Sequence, residues 1–319
     1  MAILVYLEDH EGELVKGALG VLGKAGQLGD DVSGVVCGSG VRELAAQAGR
    51  FGAGRVYVAD DPALAAPLPQ PRVDVLAALI EEKGFDSVLF GASVLTADVA
   101  AGLAARLGAG LNWDLVDLEL RDGVLHGTRA ALQDSVYADV GWKGEPRLAL
   151  VRAGTFDPVE SGGEAEVEDV PVEIQDFSQQ AVMLERAHAE SEGPSIEDAE
   201  VIVAGGRGLG EPDKFGLLEE LAKALGGAVA ATRAVVDAGW YPYATQVGQT
   251  GRNVSPKLYL ACGISGAIQH KVGMQSSGTI VAINKDPNAP IFEYADLGVV
   301  GDLHTIVPRL TELVRERRQ

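Results

Sequence analysis

The feature that most constrains the fold is an alternation of short apolar runs with segments of helical periodicity. In the first half of the chain, the runs AILVYLE, VSGVVCG, RVYVAD and SVLFGAS are each followed by such a segment. This order is typical of a parallel sheet whose strands are joined by crossover helices. The corresponding helices are predicted at residues 13–28, 41–49, 73–83 and 96–107.

The stretch from residue 111 to residue 172 has a different pattern. It contains strand-like segments such as LVDLELRDGVLHGTRA and PRLALVRAG. We predict that it adds antiparallel strands to the same domain, with Asp122-Gly123 as a hairpin turn.

An acid-rich segment separates this part from a second alternating region. Residues 162–200 contain 12 Asp or Glu and a single Arg. We interpret residues 187–199 as a linker between an N-terminal α/β domain, residues 1–186, and a C-terminal domain, residues 200–319. Six short elements with glycine-rich turns predict that the second domain is doubly wound and Rossmann-like. Its helices are predicted at residues 213–225, 266–274 and 303–318.

The charge of the chain is unevenly distributed. The net charge is −20, with 14 Lys or Arg against 35 Asp or Glu in residues 1–200, and 12 against 11 in residues 201–319. This acidity argues against nucleic acid as a partner, because phosphate backbones are bound mainly by Lys and Arg. The C-terminal domain repels an anionic ligand far less than the N-terminal domain does.

Compartment and metal content can also be predicted. No apolar stretch approaches the length of a membrane-spanning helix, and the first residues turn acidic at once. We therefore expect a cytoplasmic, soluble protein that is not embedded in a membrane. Cys37 and Cys262 both lie in apolar runs, so they are interpreted as core residues, and no metal site is expected.

The strand ends of the N-terminal domain are unfavourable for a nucleotide. The first strand is followed by EDHEGE at residues 8–13, which carries four carboxylates. After the fourth strand, residues 91–93 are interpreted as a tight turn, with Thr96 as the N-cap of the next helix.

The strand ends of the C-terminal domain carry groups suited to an anionic ligand. GGRGLG at residues 205–210 follows a strand and precedes a helix, which permits close backbone approach and supplies the Arg207 guanidinium for a phosphate. Its glycines do not have the spacing of the dinucleotide fingerprint. The next strand ends offer Thr232 and Arg233, then QVGQTG at 246–251, then SGAIQH at 265–270.

Single residues at these ends have more than one interpretation. Ser265 is expected to be an N-cap, with Gly266 leaving the N–H groups of the first helical turn accessible to an anion. Asn284 can contact a cofactor or serve as a turn residue, and Asp302 can contact a cofactor or cap the last helix. Together these residues predict a nucleotide-type cofactor in the C-terminal domain without specifying which one.

Longer motifs carry a family resemblance. The run PKLYLACGISGAIQHKVGMQSSGTIVAINKDPNAPIFEYADLGVVGDL, preceded by GGRGLG, ATRAVVDAGW and QVGQTGR, resembles the α subunit of electron transfer flavoproteins, the family that includes the FixB-type proteins. The likeness is continuous over about residues 200–310 and looser over residues 1–185.

The resemblance implies a cofactor, a role and partners. In that family the C-terminal domain binds FAD, and the protein carries electrons without substrate chemistry of its own, so no catalytic residue is expected. The N-terminal domain is expected to pack on the β subunit and to bind no nucleotide. Electrons are expected to arrive from acyl-CoA or other flavoprotein dehydrogenases and to leave to a quinone oxidoreductase or another acceptor.

The resemblance also implies the residues that contact FAD. Among them, Arg233, His270, Gln249 and Thr250 would tune the flavin, with His270 on the N1/C2=O side, while Arg207 would bind the pyrophosphate. The full implied set is Arg207, Thr232, Arg233, Val247, Gly248, Gln249, Thr250, Ser265, Gly266, Ala267, Ile268, Gln269, His270, Asn284, Asp302 and Leu303.

Two other functions are compatible with a doubly wound domain. A nicotinamide-dependent dehydrogenase would need a G-x-G-x-x-G turn and an acidic residue after the next strand, where this chain has GGRGLG and Thr232-Arg233. A non-redox nucleotide-binding module would be colourless when purified.

Overall fold

The structure is a computed structural model that describes residues 1–10, 12–29, 31–132, 135–161, 163–185, 195–196 and 199–318. It divides into two compact units, Met1–Ala187 and His188–Gln319, and each is a mixed α/β unit built on a sheet with parallel strands. Most of the linker predicted at residues 187–199 lies outside the described residues. Ile196 and Ala199, which the prediction assigns to the linker, are buried in the core of the second unit.

Within its described residues, the first unit contains eleven strands and four helices. Its strands are β1 (Ile3–Tyr6), β2 (Asp9–His10), β3 (Glu13–Leu14), β4 (Val32–Gly38), β5 (Arg55–Asp60), β6 (Ser87–Gly91), β7 (Leu111–Arg121), β8 (Val124–Ala131), β9 (Val136–Val140), β10 (Arg147–Val151) and β11 (Glu166–Asp169). Its helices are α1 (Lys16–Leu28), α2 (Leu44–Arg50), α3 (Pro69–Lys83) and α4 (Val94–Leu107).

Nine of these strands form one sheet in the order β11-β5-β4-β1-β6-β10-β7-β8-β9. The pairs from β11 to β7 are parallel, and β7, β8 and β9 form an antiparallel meander. Asp122 and Gly123 have φ of 53° and 77° in the predicted hairpin turn between β7 and β8. Positive φ at both central residues is characteristic of the type I′ turn, which matches the twist of the strands.

The prediction that residues 111–172 add antiparallel strands is wrong for β10 and β11. Strand β10 lies between β6 and β7 and is parallel to both, and β11 is parallel to β5. Residues Leu148 to Val151 of β10 are buried. Such a continuous apolar run is typical of an interior strand in a parallel sheet, whose two faces are both covered.

The helix starts of the first unit also differ from the predicted residues 13, 41, 73 and 96: α1 to α4 begin at Lys16, Leu44, Pro69 and Val94. Helix α1 begins at Lys16 because Glu13 and Leu14 pair with Asp9 and His10 in the small β2–β3 hairpin. The N-cap of α4 is Ser93, and Thr96 is its reciprocal partner.

The Ser93 hydroxyl accepts a hydrogen bond from Thr96 N at 3.0 Å, and Thr96 Oγ1 accepts one from Ser93 N at 2.7 Å. This capping box satisfies two backbone donors that would otherwise lack acceptors at the helix start.

The part of the second unit that the structure describes contains six strands and four helices. Its strands are β12 (Val201–Gly205), β13 (Ala228–Thr232), β14 (Gln246–Val247), β15 (Leu258–Cys262), β16 (Thr279–Asn284) and β17 (Leu297–Val300). Its helices are α5 (Phe215–Leu225), α6 (Arg233–Val236), α7 (Ile268–Met274) and α8 (Leu303–Arg318). Helix α8 has the predicted bounds.

All strand pairs of the second sheet are parallel, in the order β14-β13-β12-β15-β16-β17. The chain adds strands on one side of β12 and then crosses to its other side at β15. Open α/β sheets with such a reversal of strand order bind their ligands in a crevice outside the carboxyl ends of the strands at this position.

Alternate residues of the central strands pack into two separate cores. Ala204 and Tyr259 lie in one core with Met274 of α7, whereas Val203 and Cys262 lie in the other core. Both faces of the sheet are therefore covered, and Cys37 and Cys262 are buried free thiols as predicted. Among the helices of the described residues, none is long and apolar enough to cross a membrane.

Candidate functional site

A cavity of about 680 Å³ lies at the carboxyl edge of the second sheet. It is bounded by the loops that follow β12, β13, β14, β15 and β16, and its volume is in the range of about 300–1,000 Å³ that small-molecule sites occupy. Most residues of the set predicted from the sequence line it. These are Arg207, Thr232, Arg233, Val247, Gly248, Gln249, Thr250, Ser265, Ala267, Gln269, His270 and Asn284.

Four residues of the predicted set do not line this cavity: Gly266, Ile268, Asp302 and Leu303. The Asp302 carboxylate caps α8, accepting from His304 N at 3.1 Å and from Thr305 Oγ1 at 3.2 Å. The capping role left open for Asp302 is therefore confirmed. Leu303 is buried in the core beneath the site.

Sequence reasoning missed several lining residues. They are Gly206, Gly208, Ala234, Asp237, Gly263, Ile264, Asp286, Ala289 and Pro290. The signal for Gly206 and Gly208 was present in GGRGLG, but their neighbour Gly263 becomes recognisable only once β12 and β15 are known to pair.

The loops after β12 and β15 touch backbone to backbone. Gly206 N donates to Cys262 O and Gly208 N to Gly263 O, both at 3.0 Å. A Cβ on Gly206 would lie 2.4 Å from Gly263 O, and one on Gly208 would lie 2.6 Å from Gly263 Cα. Glycine is therefore needed at both positions, because a side chain would force the two loops apart.

Two arginines reach the cavity in different electrostatic states. Arg233 Nε lies 3.2 Å from Asp237 Oδ2, so part of its charge is balanced by a neighbouring carboxylate. Arg207 is exposed, and within the part of the chain that the structure describes it has no ion-pair partner. Its guanidinium is therefore available for an anionic group.

The start of α7 differs from the prediction. The helix begins at Ile268, its N-cap is Ala267, and Ser265 is not the cap. The reason is local: Ser265 O accepts from Ile291 N at 3.0 Å, and Gly266 takes a left-handed φ of 88° before the helix can start.

The α7 start still leaves donors near the cavity. In the described chain, neither Ile268 N nor Gln269 N donates to a protein acceptor.

His270 is a buried residue of the cavity wall, and both of its ring nitrogens have protein partners. Nδ1 lies 3.1 Å from Val247 O, and Nε2 lies 2.9 Å from the Tyr259 hydroxyl. A carbonyl oxygen can only accept, so Nδ1 carries the proton and Nε2 accepts from Tyr259. Burial lowers the pKa of His270 to about 4, which keeps the ring neutral near pH 7.

This arrangement bears on the tuning role expected for His270. A neutral ring whose N–H is already bonded to Val247 supplies neither positive charge nor a free donor to the cavity. What it does supply is a link between α7 and strand β14. Its contact with a flavin remains a prediction.

The loop after β14 is held at several points. Gln249 N donates to Gln269 O at 2.7 Å, which ties this loop to α7. Tyr243 Oη donates to Thr250 O at 3.2 Å, and Gln246 Nε2 donates to Thr250 Oγ1 at 3.2 Å.

Asn284 closes the far side of the site. Its Nδ2 donates to Ile264 O at 2.9 Å, and its Oδ1 accepts from Asp286 N at 3.0 Å. The turn role left open for Asn284 is therefore confirmed, and the side chain also fixes the loop after β15.

Fold and cavity together define a two-unit α/β protein with a nucleotide-sized site at the carboxyl edge of a parallel sheet. Comparison with known proteins identifies the family. Residues 3–175 match the electron transfer flavoprotein domain, and residues 195–275 match the electron transfer flavoprotein FAD-binding domain.

Full-length relatives agree. The chain is 42% identical over 319 residues to the electron transfer flavoprotein subunit alpha of Mycobacterium leprae, covering 99% of this chain and 98% of that protein. It is 39% identical over 322 residues to the protein of the same description from Thermoanaerobacterium thermosaccharolyticum, covering 98% of each chain. It is 40% identical over 325 residues to Protein FixB of Clostridium saccharobutylicum, covering 98% of this chain and 96% of that protein.

The chain therefore belongs to the electron transfer flavoprotein α-subunit family, and its cofactor is FAD. The residues present fit this group. Arg207 is an unpaired cation among the described residues, and the remaining lining supplies hydroxyls and amides, which are the donors that a pyrophosphate, a ribityl chain and a flavin ring require. Family membership favours an electron transfer flavoprotein over a nicotinamide-dependent dehydrogenase and over a non-redox nucleotide-binding module.

Proposed function

We propose that this chain is the FAD-carrying α subunit of a heterodimeric electron transfer flavoprotein, an electron carrier without substrate chemistry of its own. It accepts electrons from acyl-CoA or other flavoprotein dehydrogenases and passes them to a quinone oxidoreductase or another acceptor. The observation that carries the proposal is the convergence of five strand-end loops of one parallel sheet on one cavity. The second unit is accordingly a doubly wound, Rossmann-like FAD-binding domain.

The part of the site around β12 binds the phosphates. Arg207 is exposed, lines the cavity and has no ion pair within the described chain to break before it binds. A guanidinium suits this task because it can donate two parallel hydrogen bonds to one phosphate.

The part of the site around β13 and β14 tunes the redox group. When bound, FAD supplies the one-electron chemistry. Arg233 places positive charge beside it, partly offset by Asp237, while Gln249 and Thr250 offer hydrogen bonds. Positive charge and hydrogen-bond donors of this kind stabilise the negative charge that the flavin ring gains on reduction.

The first unit packs on the β subunit. Its antiparallel meander exposes large apolar side chains, among them Trp113, Val136 and Tyr137, with Tyr137 64% exposed. Apolar side chains at this density on one meander are typical of a surface that another protein covers. The carboxylates after β1 argue against a nucleotide in this unit.

The decisive experiment is co-purification with the β subunit followed by a visible spectrum and a flavin count. We expect flavin absorption bands, reduction by a flavoprotein dehydrogenase with its substrate, and reoxidation by a quinone oxidoreductase. A colourless heterodimer that stays colourless after addition of FAD would contradict the proposal.

A further inference from the structure

Gln246 is a buried polar side chain close to the site that does not line the cavity. It begins the two-residue strand β14 and is only 2% exposed. Buried amides are normally retained where they have a hydrogen-bond partner. Here the partner is the Thr250 hydroxyl, which accepts from Gln246 Nε2 at 3.2 Å.

This bond has a consequence for the Thr250 proton. A threonine hydroxyl has one proton to donate and two positions at which it can accept. Gln246 uses one accepting position and leaves the proton free. Among the described residues no protein group accepts that proton, and Thr250 itself lines the cavity.

The position of the Thr250 backbone is fixed by other groups. Tyr243 Oη donates to Thr250 O at 3.2 Å, and Gly251 N donates to Gly248 O at 2.8 Å. The loop therefore does not depend on Gln246 alone for its path. The distinct effect of Gln246 is on the hydroxyl group.

We propose that Gln246 is a positioning residue that holds the Thr250 hydroxyl as a hydrogen-bond donor to the flavin. The inference rests on the proposed placement of Thr250 against the cofactor. A donor at this place stabilises the negative charge that the ring gains on reduction, and so raises the midpoint potential. Without Gln246 the hydroxyl can rotate, and its proton is no longer directed to the ring.

The test is a double-mutant cycle in the full chain with its β subunit, followed by spectroelectrochemical titration of the bound flavin. Gln246→Met removes the amide at nearly constant length, and Thr250→Val removes the hydroxyl at constant shape. We expect each single variant to lower the midpoint potential, and the double variant to have the potential of Thr250→Val alone. Shifts that add, or no shift with Gln246→Met, would overturn the inference.

Two further variants separate the hydroxyl from the loop. Gln246→Glu has the same shape, but its carboxylate accepts a hydrogen bond from the Thr250 hydroxyl. The midpoint potential of the bound flavin should therefore fall further in this variant than in Gln246→Met. Tyr243→Phe removes a bond to the same residue through its carbonyl, and we expect an unchanged potential. A shift with Tyr243→Phe as large as that with Gln246→Met would count against a specific role for the hydroxyl.

The outcome also distinguishes this inference from the proposed function. If Thr250→Val retains FAD at an unchanged potential, the placement of Thr250 against the flavin is wrong and the inference fails with it. If Thr250→Val lowers the potential while the effect of Gln246→Met persists in its background, the placement stands and only the role of Gln246 is refuted.

Discussion

The two units are built on similar parallel sheets, yet their strand ends differ in chemistry. After β1 of the first unit comes a hairpin that carries Asp9 and Glu13, whereas β12 of the second unit is followed by Gly206, Arg207 and Gly208. One edge presents carboxylates and the other presents backbone and a cation. A shared architecture therefore does not determine ligand binding; the residues that follow each strand do.

A second difference concerns the sheet margins. The first sheet continues into the antiparallel meander β7–β9 with exposed apolar side chains, while all strands of the second sheet are parallel. The first unit has extra surface suited to contact with another protein. The second has loops that converge on one cavity.

The largest effect is expected from Gly208→Ala, which would break the glycine contact between the loops after β12 and β15 at the edge of the second sheet. Because the new Cβ would lie 2.6 Å from Gly263 Cα, the loops after β12 and β15 must separate. We expect the FAD dissociation constant to rise about 100-fold, equivalent to ~3 kcal/mol of strain. The control is Gly216→Ala in α5, where a new methyl group would have no atom within 4 Å; equal affinities for the two variants would refute the steric argument.

Lowering the pH should destabilise the second unit more than the first, because His270 lies in the second unit. Its pKa is about 4 in the folded protein against an ordinary 6.5, so the unfolded chain binds this proton first as the pH falls. The stabilising contribution is complete above about pH 6.5 and is lost toward pH 4, a change of about 3 kcal/mol in the free energy of unfolding. Hydrogen exchange at pH 7 and pH 4.5 should show the loss in the second unit of the wild type, and a smaller one in His270→Gln; identical losses in both proteins would exclude His270 as the cause.

Two arginine variants, one in each unit, test whether the two sheet edges differ in anion binding. Arg207→Ala should raise the FAD dissociation constant about 10- to 100-fold, since a charge-assisted hydrogen bond is worth about 1.5–3 kcal/mol, while the potential of bound flavin stays nearly the same. Arg42→Ala, in the first unit and paired with Asp169, should leave FAD affinity unchanged. Calorimetric titration of the apoproteins measures both, and an unaltered affinity in Arg207→Ala would remove its assigned role.

The smallest expected effect concerns charge within the second site. Arg233→Ala should lower the flavin midpoint potential by about 40 mV, the one-electron equivalent of ~1 kcal/mol for a solvent-exposed charge at close range. Asp237→Asn should change it in the opposite direction, because it removes the carboxylate that lies 3.2 Å from Arg233. Shifts of the same sign in the two variants would show that charge is not the cause.

The sequence located residues that line the cavity better than it located the details of the fold around them. Strand-end positions can be located from apolar runs, and this was enough to bring Arg207, Thr232 and Arg233 to one cavity. The direction of β10 could not be predicted, because it depends on which neighbours the strand joins. Gln246 was assigned to the strand-end segment at residues 246–251, but its burial could not be predicted, because burial results from packing between segments that are distant in the sequence.

The glycine contact between the loops after β12 and β15 also bears on how long the cofactor stays bound. These two strands are neighbours at the middle of the sheet, and their loops are tied by the bonds from Gly206 to Cys262 and from Gly208 to Gly263. Widening the crevice there means disturbing the centre of the sheet, not moving a peripheral lid. We therefore expect the residence time of FAD to follow the rate at which the second unit opens, so that cofactor loss and local unfolding are a single kinetic event.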